Sequence, residues 1–129
     1  MSQRLYEGMF LLDSEKGGEE LPLLIRHIAD LLERNDAEIE RIEQWDERKL
    51  SYRIQGADRG IYMLLYFRAD PTRIQEMRNA INLSEEILRV LILKAEEIPP
   101  AEGQLYNTDG EEIEAPEEPQ EEAAVGAEQ

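Results

Sequence analysis

Side chains able to do chemistry are few and unevenly placed in this 129-residue chain. There is one histidine, His27, and no cysteine, so thiolate nucleophiles, disulfides and zinc-thiolate sites are excluded and no second imidazole assists the first. The 30 acidic residues fall mostly on solvated faces or in an acidic C-terminal run, and no glycine-rich phosphate loop is present. No catalytic residue, metal-ligand set, cofactor or small-molecule substrate is expected. What stands out is a basic strip. Between positions 48 and 59 four cations, Arg48, Lys49, Arg53 and Arg59, accompany one acid, Asp58, in a chain of net charge −16. Cations gathered on a rigid element suit a polyanion such as RNA, because Lys and Arg neutralise phosphates and release condensed counterions. A solvated edge strand guarded by charge accounts for the same residues.

The strip belongs to a β-hairpin signal over residues 45–67: a basic strand end, a polar turn of five or six residues at 55–60, then a long apolar strand. Ahead of it, residues 4–12 read as a strand with apolar residues on both faces, and 13–18 as a loop. An amphipathic helix is expected over 19–34, with Leu21, Leu24, Ile25, Ile28, Leu31 and Leu32 at helical spacing and Pro22 confined to its first turn. Asn35-Asp36 ends it, and residues 38–48 form a bulged strand that continues into the alternation Leu50, Tyr52, Ile54. In the strand from Gly60, the residues Met63, Leu65 and Phe67 oppose Tyr62, Leu64 and Tyr66. Asp70 as a cap with Pro71 behind it opens a second helix buried through Ile74, Met77 and Ile81, and residues 87–94 make the last strand.

The order β-α-β-β-α-β predicts an α+β, ferredoxin-like sandwich: a four-stranded antiparallel sheet with two helices on one face. The other face then presents Met9, Leu11, Tyr62, Leu64 and Tyr66, a surface suited to a partner protein. Residues 1–98 are expected to form this domain, and 99–129 an acidic tail, disordered from Gly103. All charge after Lys94 is negative, 12 acids without one cation, whereas residues 1–94 carry 18 acids and 14 cations, net −4. Residues 107–111, Asn-Thr-Asp-Gly-Glu, lack the oxygen spacing of a calcium loop. With no leader and no membrane-length apolar run, a soluble cytoplasmic protein is expected.

Residues 48–54, Arg-Lys-Leu-Ser-Tyr-Arg-Ile, resemble the signature of the bacterial small-subunit ribosomal protein six family. The likeness extends to the opening Arg4-Leu5-Tyr6-Glu7, to Arg59-Gly60 ahead of the third strand, to the proline-led second helix and to the closing Arg89-Val90 through Lys94. It implies a ferredoxin-like ribosomal protein without catalytic activity that binds small-subunit ribosomal RNA as a heterodimer with small-subunit ribosomal protein eighteen. Arg4, Arg48, Lys49, Arg53, Arg59, Arg89 and Lys94 are the candidate RNA contacts; Arg48, Lys49, Arg89 and Lys94 match basic positions of the family. Asp46 stands where the family pattern has glycine, which puts the local bulge geometry in question. The rival reading is a ferredoxin-like regulatory or ligand-binding module that dimerises through its sheet.

Overall fold

Strand alternation organises the molecule, a computed structural model that describes residues 3–54 and 56–114, with the side chains of 15–19 outside the description. In β1 (Arg4–Asp13) the residues Tyr6, Phe10 and Leu12 turn to the main core, while Leu5, Met9 and Leu11 turn to the other face. β3 (Ala57–Ala69) runs antiparallel beside β1 and splits likewise, with Ile61, Met63, Leu65 and Phe67 inward and Tyr62, Leu64 and Tyr66 on the opposite side. β4 (Ile87–Lys94) flanks β1, and β2 (Glu38–Ile54) flanks β3. Both helices, α1 (Ser14–Arg34) and α2 (Ile74–Asn82), cover one face through Leu21, Leu24, Ile25, Ile28 and Leu32 of α1 and Met77 and Ile81 of α2. Each fully buried side chain of this kind contributes about 1.5–3 kcal/mol, so the helix-side core carries most of the stability.

Local chemistry explains the ends of these elements. Asp36 takes φ 67°, Ala37 N–H donates to Leu32 O and Asp36 N–H to Glu33 O, a Schellman closure of α1 built on the expected Asn35-Asp36 pair. Asp70 accepts from Thr72 N–H at 2.9 Å and Thr72 Oγ1 at 2.8 Å, starting a 3-10 turn (Pro71–Arg73) that leads into α2.

Four expectations need correction. The loop over 13–18 does not exist, because α1 starts at Ser14 and Pro22 stands in its third turn. The hydrogen bond lost there is outweighed by the buried apolar stripe that follows. The turn of β2–β3 is not 55–60: β2 ends at Ile54 and β3 begins at Ala57, with Gly56 at φ 87° and Gln55 outside the described residues. Asp46 needs no glycine-like backbone, since Asp36 is the one non-glycine with positive φ among the described residues. The sheet has six strands, in the order β4-β1-β3-β2-β5-β6, rather than four.

The two further strands come from the stretch expected to be disordered. β5 (Gln104–Tyr106) pairs with residues 42–44 of β2, and β6 (Glu112–Ile113) pairs with β5. Between them Gly110 N–H donates to Asn107 O, Asn107 N–H donates to Glu111 O, and Gly110 takes φ 85°, a turn closed by a glycine bulge. Asn107 Oδ1 accepts from the N–H groups of Asp109 and Glu111. Tyr106 joins the helix-side core. Residues 115–129 of the expected tail lie outside the described residues.

Candidate nucleic-acid interface

The β2–β3 hairpin carries the basic strip, and its charges divide into two kinds. Arg48 donates to Asp46 Oδ2 through Nε at 2.9 Å and Nη2 at 2.5 Å, and its guanidinium lies 5.7 Å from the Trp45 ring centroid. The Arg48 bond, with the Glu47 N–H behind it, holds the Asp46 carboxyl below the usual range, and Asp46 raises Arg48 in return. Arg53 Nε donates to Asp58 Oδ1 at 2.8 Å. Lys49 and Arg59 are different. They face each other directly across the ladder, both are exposed, and neither has an ion-pair partner among the described residues. Two like charges opposite one another cost stability, and here no neighbouring carboxylate among the described residues forms an ion pair with either.

The remaining expected contacts separate. Arg89 is exposed at the hairpin end of the sheet, opposite Leu11. Arg4 and Lys94 are exposed at the other end, level with Ala69 and Tyr6. Arg48, Lys49, Arg53, Arg59 and Arg89 are therefore brought towards one end, and Arg4 and Lys94 are not.

The sheet face opposite the helices holds the five residues expected there, yet it is not open. Leu11 is packed with Ala57 and Leu88, under Leu50 and Ile54 of the hairpin. Leu64 and Tyr66 are packed with Leu5, Met9, Ala95 and Ile98, because the chain after β4 crosses the sheet to reach β5. What remains is a groove of about 250 Å³ with Met9, Leu11 and Tyr62 on its floor and Ile54, Arg89 and Leu91 at its sides. Beside it Trp45, 42% exposed, meets Tyr62 edge-on at 5.7 Å.

Sequence reasoning passed over two residues. Trp45 is a lone tryptophan in a bulge, and exposure is not legible from its surroundings. Glu43 is 2% exposed and accepts at 2.7 Å from the N–H groups of both Glu102 and Gly103 and at 3.0 Å from Arg41 Nη2. Arg41 in turn lies 5.0 Å from the Tyr66 ring centroid and donates to Pro99 O at 2.6 Å. Tyr66 donates to Glu7 Oε2, and burial first, then this carboxylate, pushes its hydroxyl up to about 12. His27 Nε2 lies 2.8 Å from Ser84 Oγ and 3.6 Å from Glu86 Oε1, and ties α1 to the segment before β4.

The sequence pattern of the family described as Ribosomal protein S6 matches residues 5–94, the whole of β1 through β4 but for the first residue of β1. The chain belongs to that family. A small ribosomal subunit protein bS6 of Campylobacter lari is 36% identical over 93 residues, 72% of this chain and 75% of the relative. That of Gluconacetobacter diazotrophicus is 34% identical over 110 residues, 85% of this chain and 68% of the relative, a span that must run past Lys94 and through β5. A crystal structure of 30S ribosomal protein S6 from Thermotoga maritima superposes with a TM-score of 0.64 at 28% identity, covering 73% of this chain and 89% of that one. These relatives are ribosomal proteins and not enzymes, in keeping with a fold built around a charged hairpin rather than a reactive centre.

Proposed function

We propose that this chain is a structural protein of the bacterial small ribosomal subunit, resident in the cytoplasm, that binds small-subunit ribosomal RNA together with small-subunit ribosomal protein eighteen. Family membership carries the assignment to the ribosome, and the uncompensated Lys49/Arg59 pair supports a phosphate contact at the hairpin. Arg89 stands with them. Arg48 and Arg53 contribute less, since each already holds a carboxylate, and Arg4 and Lys94 serve a separate contact at the far end. Such contacts fix position on the RNA and read no bases. The groove over Met9, Leu11 and Tyr62 suits the partner protein, with Leu64 and Tyr66 beneath the crossing segment.

Washed small subunits are expected to retain the protein in sedimentation, and its absence from them removes the reading. Binding of a small-subunit ribosomal RNA fragment is expected to appear with protein eighteen present and to be weak without it. The rival module, dimerising through its sheet, would need the face that the hairpin and the crossing segment already cover.

A further inference from the structure

Residues 95–103 form a strap laid across the sheet. Its attachment is sparse: Ala95 N–H donates to Leu5 O, Pro99 O accepts from Arg41, and the N–H groups of Glu102 and Gly103 converge on Glu43 Oε2. Only Ala95 and Ile98 pack beneath it, in a cluster separate from the helix-side core. Pro99 and Pro100 are exposed. Both ends are fixed, one by β4 and the other by β5, whose Tyr106 is anchored in the main core.

The strap is longer than its route requires. Lys94 is level with Tyr6 and Phe67, and Gln104 is level with Gln44 and Met63. Those points lie four strand spacings apart sideways, about 19 Å, and four residues apart lengthwise, about 13 Å, hence about 23 Å in a straight line. Ten residue steps of extended chain reach about 33 Å. With its ends held, the middle of the strap can rise by about 12 Å, which exceeds the ~10 Å between packed layers of a sandwich. Lifting it leaves the helix-side core intact and uncovers Leu5, Leu64 and Tyr66 with Glu7 and Glu43 among them.

We propose that the strap is a displaceable cover and that the surface beneath it is a second docking site for an extended, cationic segment of the partner protein. The chemistry of the site names that occupant. On that face Glu7, Glu40 and Glu43 outnumber Arg41 and Arg68, and the strap adds Glu96, Glu97 and Glu102 at the rim with no cation. A segment with apolar side chains and Lys, Arg or backbone N–H donors replaces what the strap supplies now. The inference rests on the partner reading above and extends it to a site that is hidden in the free protein.

Amide hydrogen exchange of the full chain, alone and with small-subunit ribosomal protein eighteen, tests it. The Glu102 and Gly103 amides are expected to exchange at least about tenfold faster in the complex while those of Phe10 and Met63 stay protected, as local opening without global unfolding requires. A complex in which the two strap amides keep or gain protection overturns the inference and leaves the partner reading standing. Absence of any complex removes both. Acceleration by ribosomal RNA alone, with none by the protein, overturns the choice of occupant. Ile98→Asp, which loosens the strap from its apolar seat, is expected to tighten partner binding by about fivefold, since more of the population is already competent. Weaker binding by that variant, with Phe10 and Met63 still protected, also overturns it.

Discussion

Replacing Lys49 and Arg59 together by alanine separates the two kinds of hairpin cation. Each phosphate neutralised contributes about −0.9 to the slope of log affinity against log salt on duplex RNA or DNA-like helices. Between 50 and 200 mM salt, one contact therefore weakens binding by about 3.5-fold and two by about 12-fold. The double variant is expected to lose that salt-dependent share, a slope flatter by about 1.8, in filter binding to a small-subunit ribosomal RNA fragment with the partner protein present. Arg48 and Arg53 behave differently because Asp46 and Asp58 sit at hydrogen-bond distance from them. Removing those arginines leaves an unpaired carboxylate and changes the slope by less than the Lys49/Arg59 pair does. Asp46→Asn and Asp58→Asn, which release the arginines, are expected to steepen the slope and tighten binding. Lys49, Arg59, Arg48, Arg53 and Asp58 are exposed and Asp46 half-buried, so the thermal melts of these variants should stay close to that of the parent. Equal flattening by an Arg48→Ala, Arg53→Ala double variant, or weaker binding by Asp46→Asn, refutes the division into compensated and free cations.

Three further outcomes follow from local geometry. Gly110→Ala forces a side chain into φ 85° and puts its Cβ 2.3 Å from Pro22 O, so thermal melting should show a loss of about 2 kcal/mol, roughly 8 °C in Tm; an unchanged Tm means the β5–β6 turn does not rest on α1. Asp70→Ala removes the cap ahead of α2 and is expected to cost about 1 kcal/mol in chemical denaturation, with Asp70→Ser largely restoring it. The Tyr66 hydroxyl titrates near 12 in the fold against about 10 unfolded, so its stabilisation is complete below pH 10 and disappears as pH rises towards 12. Tyr66→Phe should flatten the loss of stability in that window, and a parallel decline in both proteins denies Tyr66 the role.

Periodicity carried both helices because their burial is one-sided, and the central sheet because its strands alternate between two apolar faces. Met63, Leu65 and Phe67 against Tyr62, Leu64 and Tyr66 could be assigned to faces before any coordinates, and Asp70-Pro71 could be assigned to a helix start. The bulges of β2 showed as spacings of three where a strand needs two. The strap and β5 were illegible for a different reason. Their short apolar content, Ile98 with Leu105 and Tyr106, is diluted by acids that dominate any window, although Asp109-Gly110 between Tyr106 and Ile113 is a hairpin turn signal. Glu43 read as one more solvated acid, since its partners are backbone N–H groups about sixty residues away. The basic strip was visible as a count, but its division was not: Asp46 lies outside the counted window and bonds back to Arg48 across two residues.

The net charge of −16 argues against an RNA surface only if the acids are felt at the hairpin tip. The acids of the β5–β6 hairpin, Asp109, Glu111 and Glu112, are attached where β5 meets residues 42–44 of β2, whereas Lys49 lies five residues beyond Gln44 on the same strand. Five residues of strand measure about 17 Å, less a little for the bulges. The Debye length at physiological salt is about 8 Å, so those acids are separated from Lys49 and Arg59 by about two screening lengths. Of the carboxylates near the tip, Asp46 and Asp58 each hold an arginine, while Glu47, exposed two residues from Lys49, and Asp13, opposite Gly60, offset part of the charge of Lys49 and Arg59. Lys49 and Arg59 remain the hairpin cations without an ion-pair partner among the described residues, and raising salt from low values should first remove repulsion from these near acids and the acidic edge and only then weaken the phosphate contacts. Binding that passes through a shallow maximum with salt is the signature of that arrangement, since a uniformly acidic surface would improve monotonically and a uniformly basic one would only decline.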